Sequence, residues 1–212
     1  ANICYYCACN KVITKDRGRA LPYLQRLEQE IQLIACHLDP AQKVEQLHCG
    51  GGTPTLLSHD ELRQLMAQLR KSFNLLDDDS GDYGIEIDPR EADWSTMGLL
   101  RELGFNRVSI GLQDLDPAVQ RAVNRLQSLE ETRAVIDAAR TLQFRSINID
   151  LIYGLPRQTP ENFARTVDEV INLQPDRLSV FNYAHLPERF MPQRRINSDE
   201  LPTPAQKLEM LQ

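Results

Sequence analysis

The chain has 212 residues, of which 42% are hydrophobic and 25% charged, and this length and composition suit one globular α/β domain. The net charge of −6 argues against non-specific binding of nucleic acids. No apolar run approaches the ~20 residues that a membrane span needs, and no secretory signal is visible. Five cysteines, three of them clustered, suit a reducing cytosol better than a disulfide framework. We therefore expect residues 1–212 to form one domain of a cytoplasmic protein without nucleic-acid or membrane partners.

Strand-like runs and helix-period segments alternate along the chain. In chain order the sequence predicts a helix over 21–37, a strand over 44–49, a helix over 58–73, a strand over 83–87, a helix over 95–104, a strand over 107–112, helices over 116–124 and 128–142, a strand over 146–152, a helix over 159–173, a strand over 177–181 and a helix from 204 onward. Capping boxes at Ser58 with Glu61 and at Ser128 with Glu131 mark two of the helix starts.

Two connecting segments are predicted to lack regular structure. Residues 74–84 are expected to form a solvated acidic loop, and residues 187–202 a loop rich in Pro and charge. Alternation of strands and helices predicts βαβ units and a parallel sheet. No glycine-rich dinucleotide fingerprint follows the first strand, so a barrel or partial barrel is favoured over an open Rossmann sheet.

The predicted strands have apolar interiors, as expected of parallel strands buried on both faces, but their carboxyl ends are polar or glycine-rich. In barrels of βα units the active site lies at that end. We therefore expect one rim to bring together Gly51, Glu86, Gln113, Asp150 and Ala184. His185 is the one histidine placed to be functional. The alternative is that some polar ends only cap helices or pair with each other, which applies most to Asp88, Asp114 and Asn182.

Three cysteines stand close together at Cys4, Cys7 and Cys9, and Tyr6 directly precedes the second. Closely spaced thiolates bind soft metals such as iron, zinc or copper(I). The alternatives are half of a zinc site, a redox disulfide or simple buried thiols. If a cysteine preceded Ala1, the run would read Cys-x-x-x-Cys-x-x-Cys, the signature of radical S-adenosylmethionine (SAM) enzymes. The chain starts within this motif, so we expect it to be a fragment.

The remaining motifs are weaker when each is taken alone. Gly50-Gly51-Gly52 follows a strand and allows a ligand to approach the backbone, whose amides and carbonyls suit a molecule with both an ammonium and a carboxylate. It is not a P-loop, because no Gly-Lys-Ser/Thr follows. Cys36 and Cys49 are expected to be small buried hydrophobic residues.

Six motifs together resemble one family, the oxygen-independent coproporphyrinogen III oxidases (dehydrogenases) of the radical SAM class. They read Cys-Tyr-Tyr-Cys-Ala-Cys-Asn-Lys, Leu-His-Cys-Gly-Gly-Gly-Thr-Pro-Thr, Ile-Glu-Ile-Asp-Pro-Arg-Glu, Gly-Phe-Asn-Arg-Val-Ser-Ile-Gly-Leu-Gln-Asp, Asn-Ile-Asp-Leu-Ile-Tyr-Gly-Leu-Pro and Phe-Asn-Tyr-Ala-His-Leu-Pro. The resemblance spans nearly the whole chain. It implies an α/β fold, an incomplete (β/α)6 radical SAM barrel with a curved parallel sheet and outer helices. It also implies that the family's N-terminal segment, its C-terminal domain and its first cluster cysteine are missing from these residues.

The resemblance also implies cofactors and site residues. It implies that this protein, like the family, holds a [4Fe–4S] cluster and two SAM molecules. Cys4 and Cys7 match two of the family's three cluster ligands. Cys9 matches a cysteine that is needed for activity but does not ligate the cluster. Positions matching SAM contacts are Tyr6, Gly51, Gly52, Thr53, Glu86, Gln113, Arg125, Asp150 and Ala184. Periodicity by itself would assign Arg125 only to a helix end.

The implied reaction is radical decarboxylation of two propionate side chains of coproporphyrinogen III to vinyl groups, giving protoporphyrinogen IX in haem synthesis. An unidentified electron donor would reduce the cluster, and a monomer is expected. The alternative within the resemblance is a haem chaperone paralogue that binds and transfers haem, which carries an aromatic residue where this chain has Cys9. A zinc-stabilised structural domain is a third reading, but it needs more ligands than the chain offers.

Two expectations concern the cysteine segment itself. Since no strand precedes it, the segment is expected to be unanchored and mobile in the absence of a cluster. Since only Cys4 and Cys7 stand at ligand positions of the family, residues 1–212 alone are expected not to hold a stable cluster or to cleave SAM.

Overall fold

A computed structural model describes residues 3–9 and 16–212. Its strands are β1 (Lys43–Val44), β2 (Gln46–Cys49), β3 (Asn74–Leu75), β4 (Asp82–Ile87), β5 (Arg107–Gln113), β6 (Ser146–Tyr153) and β7 (Arg177–Asn182). Its α-helices are α1 (Ala20–Ala35), α2 (His59–Ser72), α3 (Trp94–Glu102), α4 (Pro117–Ala122), α5 (Leu129–Thr141), α6 (Pro160–Asn172) and α7 (Pro204–Glu209). Every predicted strand and helix is present, with ends that differ by a few residues.

Five of the strands form one parallel sheet in the order β2-β4-β5-β6-β7, so that neighbours in the sheet follow one another along the chain. β1 and β3 form a separate two-stranded parallel ladder, which explains why the strand predicted over 44–49 is interrupted before Gln46. The predicted α/β architecture with a parallel sheet is therefore confirmed. Within the described residues the sheet stays open and does not close into a barrel.

One face of the sheet is apolar and covered by helices. Alternate residues of the central strands, such as Ile85, Ile110 and Ile149, are at most 1% exposed. They form a single core with apolar residues of α2, α3, α5 and α6, among them Met66 and Ile136. The helices begin where their capping residues predict, because both serine capping boxes are formed. Burial on this face supplies the main driving force for folding.

The other face of the sheet is polar and half-exposed, and here the expectation of apolar strand interiors is wrong. Burial alternates strictly along β4 and β5, with Glu86, Ser109 and Gly111 on the less buried side. Asn148 and Asp150 continue this side on β6. A strand places successive side chains on opposite faces, so an alternating pattern shows that helices cover only one face.

The acidic segment over 74–84 is more ordered than a solvated loop. Asp79 accepts two hydrogen bonds from Arg101, at 3.0 and 2.9 Å, and another at 3.0 Å from the Nδ2 of Asn106, which is itself buried. The same segment begins with β3. The carboxylate of Asp79 therefore ties this segment to α3 and to Asn106, which directly precedes β5.

The cysteine segment, residues 3–9, is anchored, so the expectation of an unanchored segment is wrong. The amide of Tyr5 donates to the carbonyl of Val123 at 2.9 Å, and the Nδ2 of Asn124 donates to the carbonyl of Ile3 at 2.8 Å. The buried side chain of Gln193, in the segment predicted as loop, donates to the carbonyl of Tyr6 at 3.0 Å. Residues distant in sequence therefore hold this segment in place.

Cys36 and Cys49 are both predicted to be small buried residues, and only Cys49 comes close to that prediction. Cys36 is exposed just after α1, so its predicted burial is wrong. Cys49 is half-buried at the end of β2 and packs against the core, and burial raises the pKa of its thiol to about 11. Cys49 therefore behaves as a small apolar residue rather than as a reactive thiol.

Candidate active site

The polar face of the sheet and the cysteine segment enclose a cavity of about 290 Å³. Most residues singled out in the sequence line it, namely Cys4, Tyr6, Cys7, Cys9, Gly51, Gly52, Thr53, Glu86, Gln113, Arg125 and Asp150. These residues come from six separate stretches of chain. Parallel strands bring them together because their carboxyl ends meet at one edge of the sheet.

A single turn of chain presents the first two thiols to the cavity. The amide of Cys7 donates to the carbonyl of Cys4 at 3.2 Å, which folds the four residues back on themselves. Cys4 is 9% exposed, Cys7 is half-buried and Cys9 is exposed. Two cysteines separated by two residues in such a turn can hold one metal centre.

Two arginines approach the sulfur of Cys4. The Nη1 of Arg125 lies 3.6 Å from Cys4 Sγ, and the Nη2 of Arg90 lies 3.7 Å from it. Asp88 joins the two guanidinium groups, because its Oδ2 accepts from Arg90 at 2.6 Å and from Arg125 at 3.2 Å. Arg125 also donates to the carbonyl of Gly111 at 2.5 Å. The four side chains form a buried, positively charged cluster on one wall of the cavity.

Burial and the charges of this cluster shift the pKa values of Asp88 and Tyr6 in opposite directions. Burial by itself would raise the pKa of Asp88, but hydrogen bonds from Arg90 and the charge of Arg125 outweigh burial and hold the pKa below its usual value. Burial raises the pKa of the Tyr6 phenol well above its usual value, and the nearby Arg125 opposes that shift. Asp88 is therefore ionised and Tyr6 neutral at neutral pH.

The glycine motif after β2 forms a second wall. The amide of Gly51 donates to Glu86 Oε2 at 3.0 Å, and His48 Nε2 lies 3.4 Å from Glu86 Oε1. A Cβ on Gly50 would stand 2.6 Å from Glu86, so a larger residue would displace this carboxylate. Gly51 has a φ of +111°, and a Cβ on it or on Gly52 would point into open space. The backbone here is open to a ligand while Glu86 is held beside it.

Asp150 stands on the floor of the cavity in a polar network. Its Oδ2 accepts from Ser109 Oγ at 3.0 Å, and its Oδ1 accepts from Asn148 Nδ2 at 2.7 Å. The same Nδ2 lies 2.9 Å from Ser179 Oγ on the next strand. Burial raises the pKa of Asp150, and hydrogen bonds from Ser109 and Ser179 oppose the increase. The network fixes the direction of the carboxylate.

Gln113 occupies an unusual backbone position at the end of β5. Its φ is +73°, and the register with β6 shifts between Gly111 and Gln113. A Cβ on Gly111 would stand 2.9 Å from Gln113 Nε2, so a larger residue at position 111 would displace the end of this side chain. The following residue, Asp114, is buried and accepts from Gln158 Nε2 at 2.5 Å. Such local strain is characteristic of sites where the surrounding structure imposes the geometry.

Two residues that the sequence analysis singled out after the last strand lie outside the lining of the cavity. Ala184 follows β7 as expected, but it does not line the cavity, and its carbonyl accepts from Gln193. His185 also lies outside the lining and bonds to Tyr183 and Ser198, at 2.8 and 3.1 Å. Asp114 only caps and pairs, which agrees with the alternative interpretation of the polar strand ends.

The search of the strand ends did not single out Arg90 or Ser109. It also missed Arg125, which only the family resemblance indicated. All three line the cavity. Arg90 stands two residues beyond a polar strand end, so extending the search into the loop after β4 would have found it. Ser109 lies within β5, where the alternation of buried and half-exposed residues was the available signal. Nothing local distinguishes Arg125, which reaches the cavity only through tertiary folding.

The chain belongs to the radical SAM superfamily. The model of that family matches residues 1–170. The chain is 78% identical over its full length to the oxygen-independent coproporphyrinogen III oxidase of Pseudomonas aeruginosa, covering 46% of that protein. It is 50% identical over 210 residues to the enzyme of the same name from Escherichia coli, covering 45% of that protein. The chain therefore spans about half the length of these curated relatives.

Solved structures agree with this membership. The coproporphyrinogen III oxidase of Escherichia coli, described as a radical SAM enzyme, superposes with a TM-score of 0.94 at 50% identity, covering 99% of this chain and 48% of that one. A radical SAM methyltransferase from Kitasatospora setae, with cobalamin and a [4Fe–4S] cluster bound, has a TM-score of 0.60 at 16% identity, covering 77% of this chain and 31% of that one. The second similarity shows the fold alone.

Membership of the superfamily implies a [4Fe–4S] cluster and SAM, and the cavity fits both groups in part. Cys4 and Cys7 offer sulfur, the ligand that iron in such clusters takes. Within residues 3–9 and 16–212, no group of three or more metal-ligating side chains is arranged to hold a metal ion, so the described residues supply two thiols. The Nε of Arg125 is buried and has no hydrogen-bond partner among the described residues, as expected of a group that faces an anionic ligand.

In the part of the chain that the structure describes, no helix is both long enough and apolar enough to cross a membrane.

Proposed function

We propose that the polypeptide containing this chain is an oxygen-independent coproporphyrinogen III oxidase. It would convert two propionate side chains of coproporphyrinogen III to vinyl groups, each with loss of CO2, one hydrogen atom and one electron, giving protoporphyrinogen IX. SAM, which ends as methionine and 5′-deoxyadenosine, would be the oxidant. The observation that carries the proposal is that Cys9 lines the same cavity as Cys4, Cys7 and the glycine motif. The high identity to relatives of that name over the whole chain supports it. The haem chaperone alternative has an aromatic residue in place of Cys9, so the thiol in the cavity favours the oxidase.

Each wall of the cavity has a role in this proposal. Cys4 and Cys7 would hold the cluster. Together with SAM, the cluster would supply the one-electron chemistry that starts the reaction. The open backbone at Gly51 and the carboxylate of Glu86 suit the amino acid end of SAM, since they offer hydrogen-bonding groups and a negative charge beside one another. Asp150, fixed by Ser109 and Asn148, suits a hydroxyl or ammonium group of the ligand.

Further residues complete the site. The buried guanidinium of Arg125 would bind a carboxylate through its unpaired Nε, and the Gln113 side chain would add a neutral polar contact. Tyr6, Gly52, Thr53 and Ala184 are proposed as SAM contacts on the resemblance alone. Two SAM molecules, reduction by a separate electron donor, a monomeric state and a cytoplasmic location belong to the same proposal. A reducing compartment is required because thiolates that bind iron must not be oxidised.

The test is an anaerobic assay of the reconstituted complete polypeptide that contains this chain, in which protoporphyrinogen IX and 5′-deoxyadenosine are measured. We predict that Cys9→Ser keeps its iron and sulfide content but loses product formation by at least about 100-fold, the scale of losing a catalytic proton or hydrogen donor. Cys36→Ser is the matched control, because that thiol is exposed just after α1 and lies outside the cavity. It should retain full activity.

Two results would contradict the proposal. If the unchanged protein forms no protoporphyrinogen IX but binds haem, the chaperone alternative is correct. If Cys9→Ser fails to assemble iron and sulfide while Cys36→Ser assembles both, then Cys9 is a cluster ligand and its assigned role is wrong.

A further inference from the structure

We propose that Arg90 is a positioning residue that raises the reduction potential of the cluster by donating a hydrogen bond to the sulfur of Cys4. This inference rests on the proposed function only in that Cys4 is taken to be a cluster ligand. The carrying observation is the distance of 3.7 Å between Arg90 Nη2 and Cys4 Sγ, which is within range for a hydrogen bond to sulfur.

The orientation of Arg90 is imposed by its neighbour. Asp88 Oδ1 accepts from Arg90 Nε at 2.9 Å, and Asp88 Oδ2 accepts from Arg90 Nη2 at 2.6 Å. This fork of two parallel bonds fixes the plane of the guanidinium and leaves Nη2 directed toward Cys4 as well. The short turn Pro89–Glu91 after β4 carries Arg90, and Asp88 stands directly before that turn and caps it. Cys4 lies 86 positions away in the sequence, so the contact is purely tertiary.

The charge balance at the sulfur is positive. Arg90 and Arg125 carry two positive charges, and the ionised Asp88 between them carries one negative charge. The side chains of Arg90, Asp88 and Arg125 are 16%, 11% and 7% exposed, so solvent screens them weakly. One net positive charge beside a thiolate stabilises the reduced cluster, which carries one more electron, relative to the oxidised one. Hydrogen bonds to ligand sulfurs act in the same direction.

Arg90 is a better probe of this effect than Arg125. Arg125 also bonds to the carbonyl of Gly111 and is a proposed SAM contact, so its replacement would change ligand binding as well as charge. Arg90 bonds to Asp88 and to Cys4 and is not a proposed SAM contact, so its replacement removes a charge and a hydrogen bond at the sulfur without removing a proposed ligand contact.

The experiment is a redox titration of the reconstituted complete polypeptide without substrate, in which the reduced cluster is followed by electron paramagnetic resonance. We expect Arg90→Gln to retain full iron and sulfide content and to shift the midpoint potential to a more negative value. At a fixed solution potential the ratio of reduced to oxidised cluster should fall about tenfold, which corresponds to about 59 mV for a one-electron couple. Arg90→Lys keeps the charge but not the fork, so it should restore part of the shift.

The control is Arg107→Gln. Arg107 also forms an ion pair with an aspartate, Asp82, at 2.8 Å, but it stands at the opposite end of β5 from the cavity. Its potential should equal that of the unchanged protein. Equal potentials for Arg90→Gln and Arg107→Gln, both fully loaded, would overturn the inference. Loss of the cluster in both Arg90 variants would also overturn it, since Arg90 would then serve assembly. If the unchanged protein holds no cluster, the proposed function itself is wrong. That result differs from an unchanged potential in Arg90→Gln, which overturns only the role of Arg90.

Discussion

The two faces of the sheet are built by the same strands but are used in opposite ways. On the helix-covered face, Ile85, Ile110 and Ile149 are at most 1% exposed and belong to the apolar core. On the cavity face, Glu86, Ser109 and Asp150 are half-exposed and each forms hydrogen bonds, Glu86 with the amide of Gly51 and Ser109 with Asp150. Neighbouring residues such as Ser109 and Ile110 therefore belong to different environments, one polar and one fully apolar.

This difference separates stability from ligand binding. Burial of large apolar side chains stabilises the fold in proportion to the area removed from water, so the helix-covered face carries most of the free energy of unfolding. Polar groups on the cavity face are partly desolvated and contribute little to that free energy, but they are pre-oriented for a polar ligand. Substitutions on the two faces should therefore have effects that scarcely overlap.

The largest expected effect is on the helix-covered face. Ile110→Ala should lower the free energy of unfolding by about 3 to 4 kcal/mol, because it leaves a cavity at a fully buried position in the centre of the sheet. Urea denaturation followed by circular dichroism measures the loss. A loss below about 1 kcal/mol would show that this face is loosely packed. The statement that it carries most of the free energy of unfolding would then be wrong.

The second prediction uses Asp114, a carboxylate buried as deeply as a core residue. Burial raises its pKa from 3.8 to about 6, so the folded state binds a proton more readily than the unfolded state. Stability should therefore fall as pH rises from about 4 to about 6, and Asp114→Asn should remove about 2 to 3 kcal/mol of that fall.

Urea denaturation between about pH 4 and pH 7 measures this change. Asp168→Asn is the control, since that residue is exposed on α6. An unchanged pH profile in Asp114→Asn would mean that its hydrogen bonds from Gln158 and Thr166 already offset burial.

The third prediction concerns the cavity face. Asp150→Ala should weaken SAM binding roughly 30-fold, about 2 kcal/mol, because a charged hydrogen-bond acceptor is removed, while the unfolding transition stays nearly unchanged. Calorimetry of the reconstituted complete polypeptide measures the affinity. Asp137→Ala, an exposed carboxylate on α5, should bind SAM as the unchanged protein does. Equal affinities for both variants would remove Asp150 from the ligand site.

The smallest expected effect is at Ser109, next to Ile110 but on the other face. Ser109→Ala should weaken SAM binding about three- to fivefold, because Asp150 loses one of the bonds that orient it, and should barely alter stability. In an Asp150→Ala background the same change should have no effect, since the carboxylate that it positions is gone. An undiminished effect there would show that Ser109 contacts the ligand itself.

The sequence by itself determined the order of the elements and much of the family assignment. Capping boxes at Ser58 and Ser128, apolar periodicity and polar strand ends are local signals, and the structure forms both capping boxes. The alternation of strands and helices predicted the parallel sheet, because parallel strands need crossover helices between them. Glu86, Gln113 and Asp150 could be singled out early since strand ends converge at one edge of the sheet.

Only the tertiary structure decided which of these residues share a cavity and which charges face them. Arg90 and Arg125 meet Cys4 across 86 and 121 positions of sequence, and no local pattern encodes such contacts. The anchoring of the cysteine segment by Val123, Asn124 and Gln193 is equally distant. The polar face of the sheet was missed because its glycines and serines do not interrupt strand-like runs. Hydrogen bonding and charge depend on positions in space, whereas periodicity reports only the direction of each side chain along its own element.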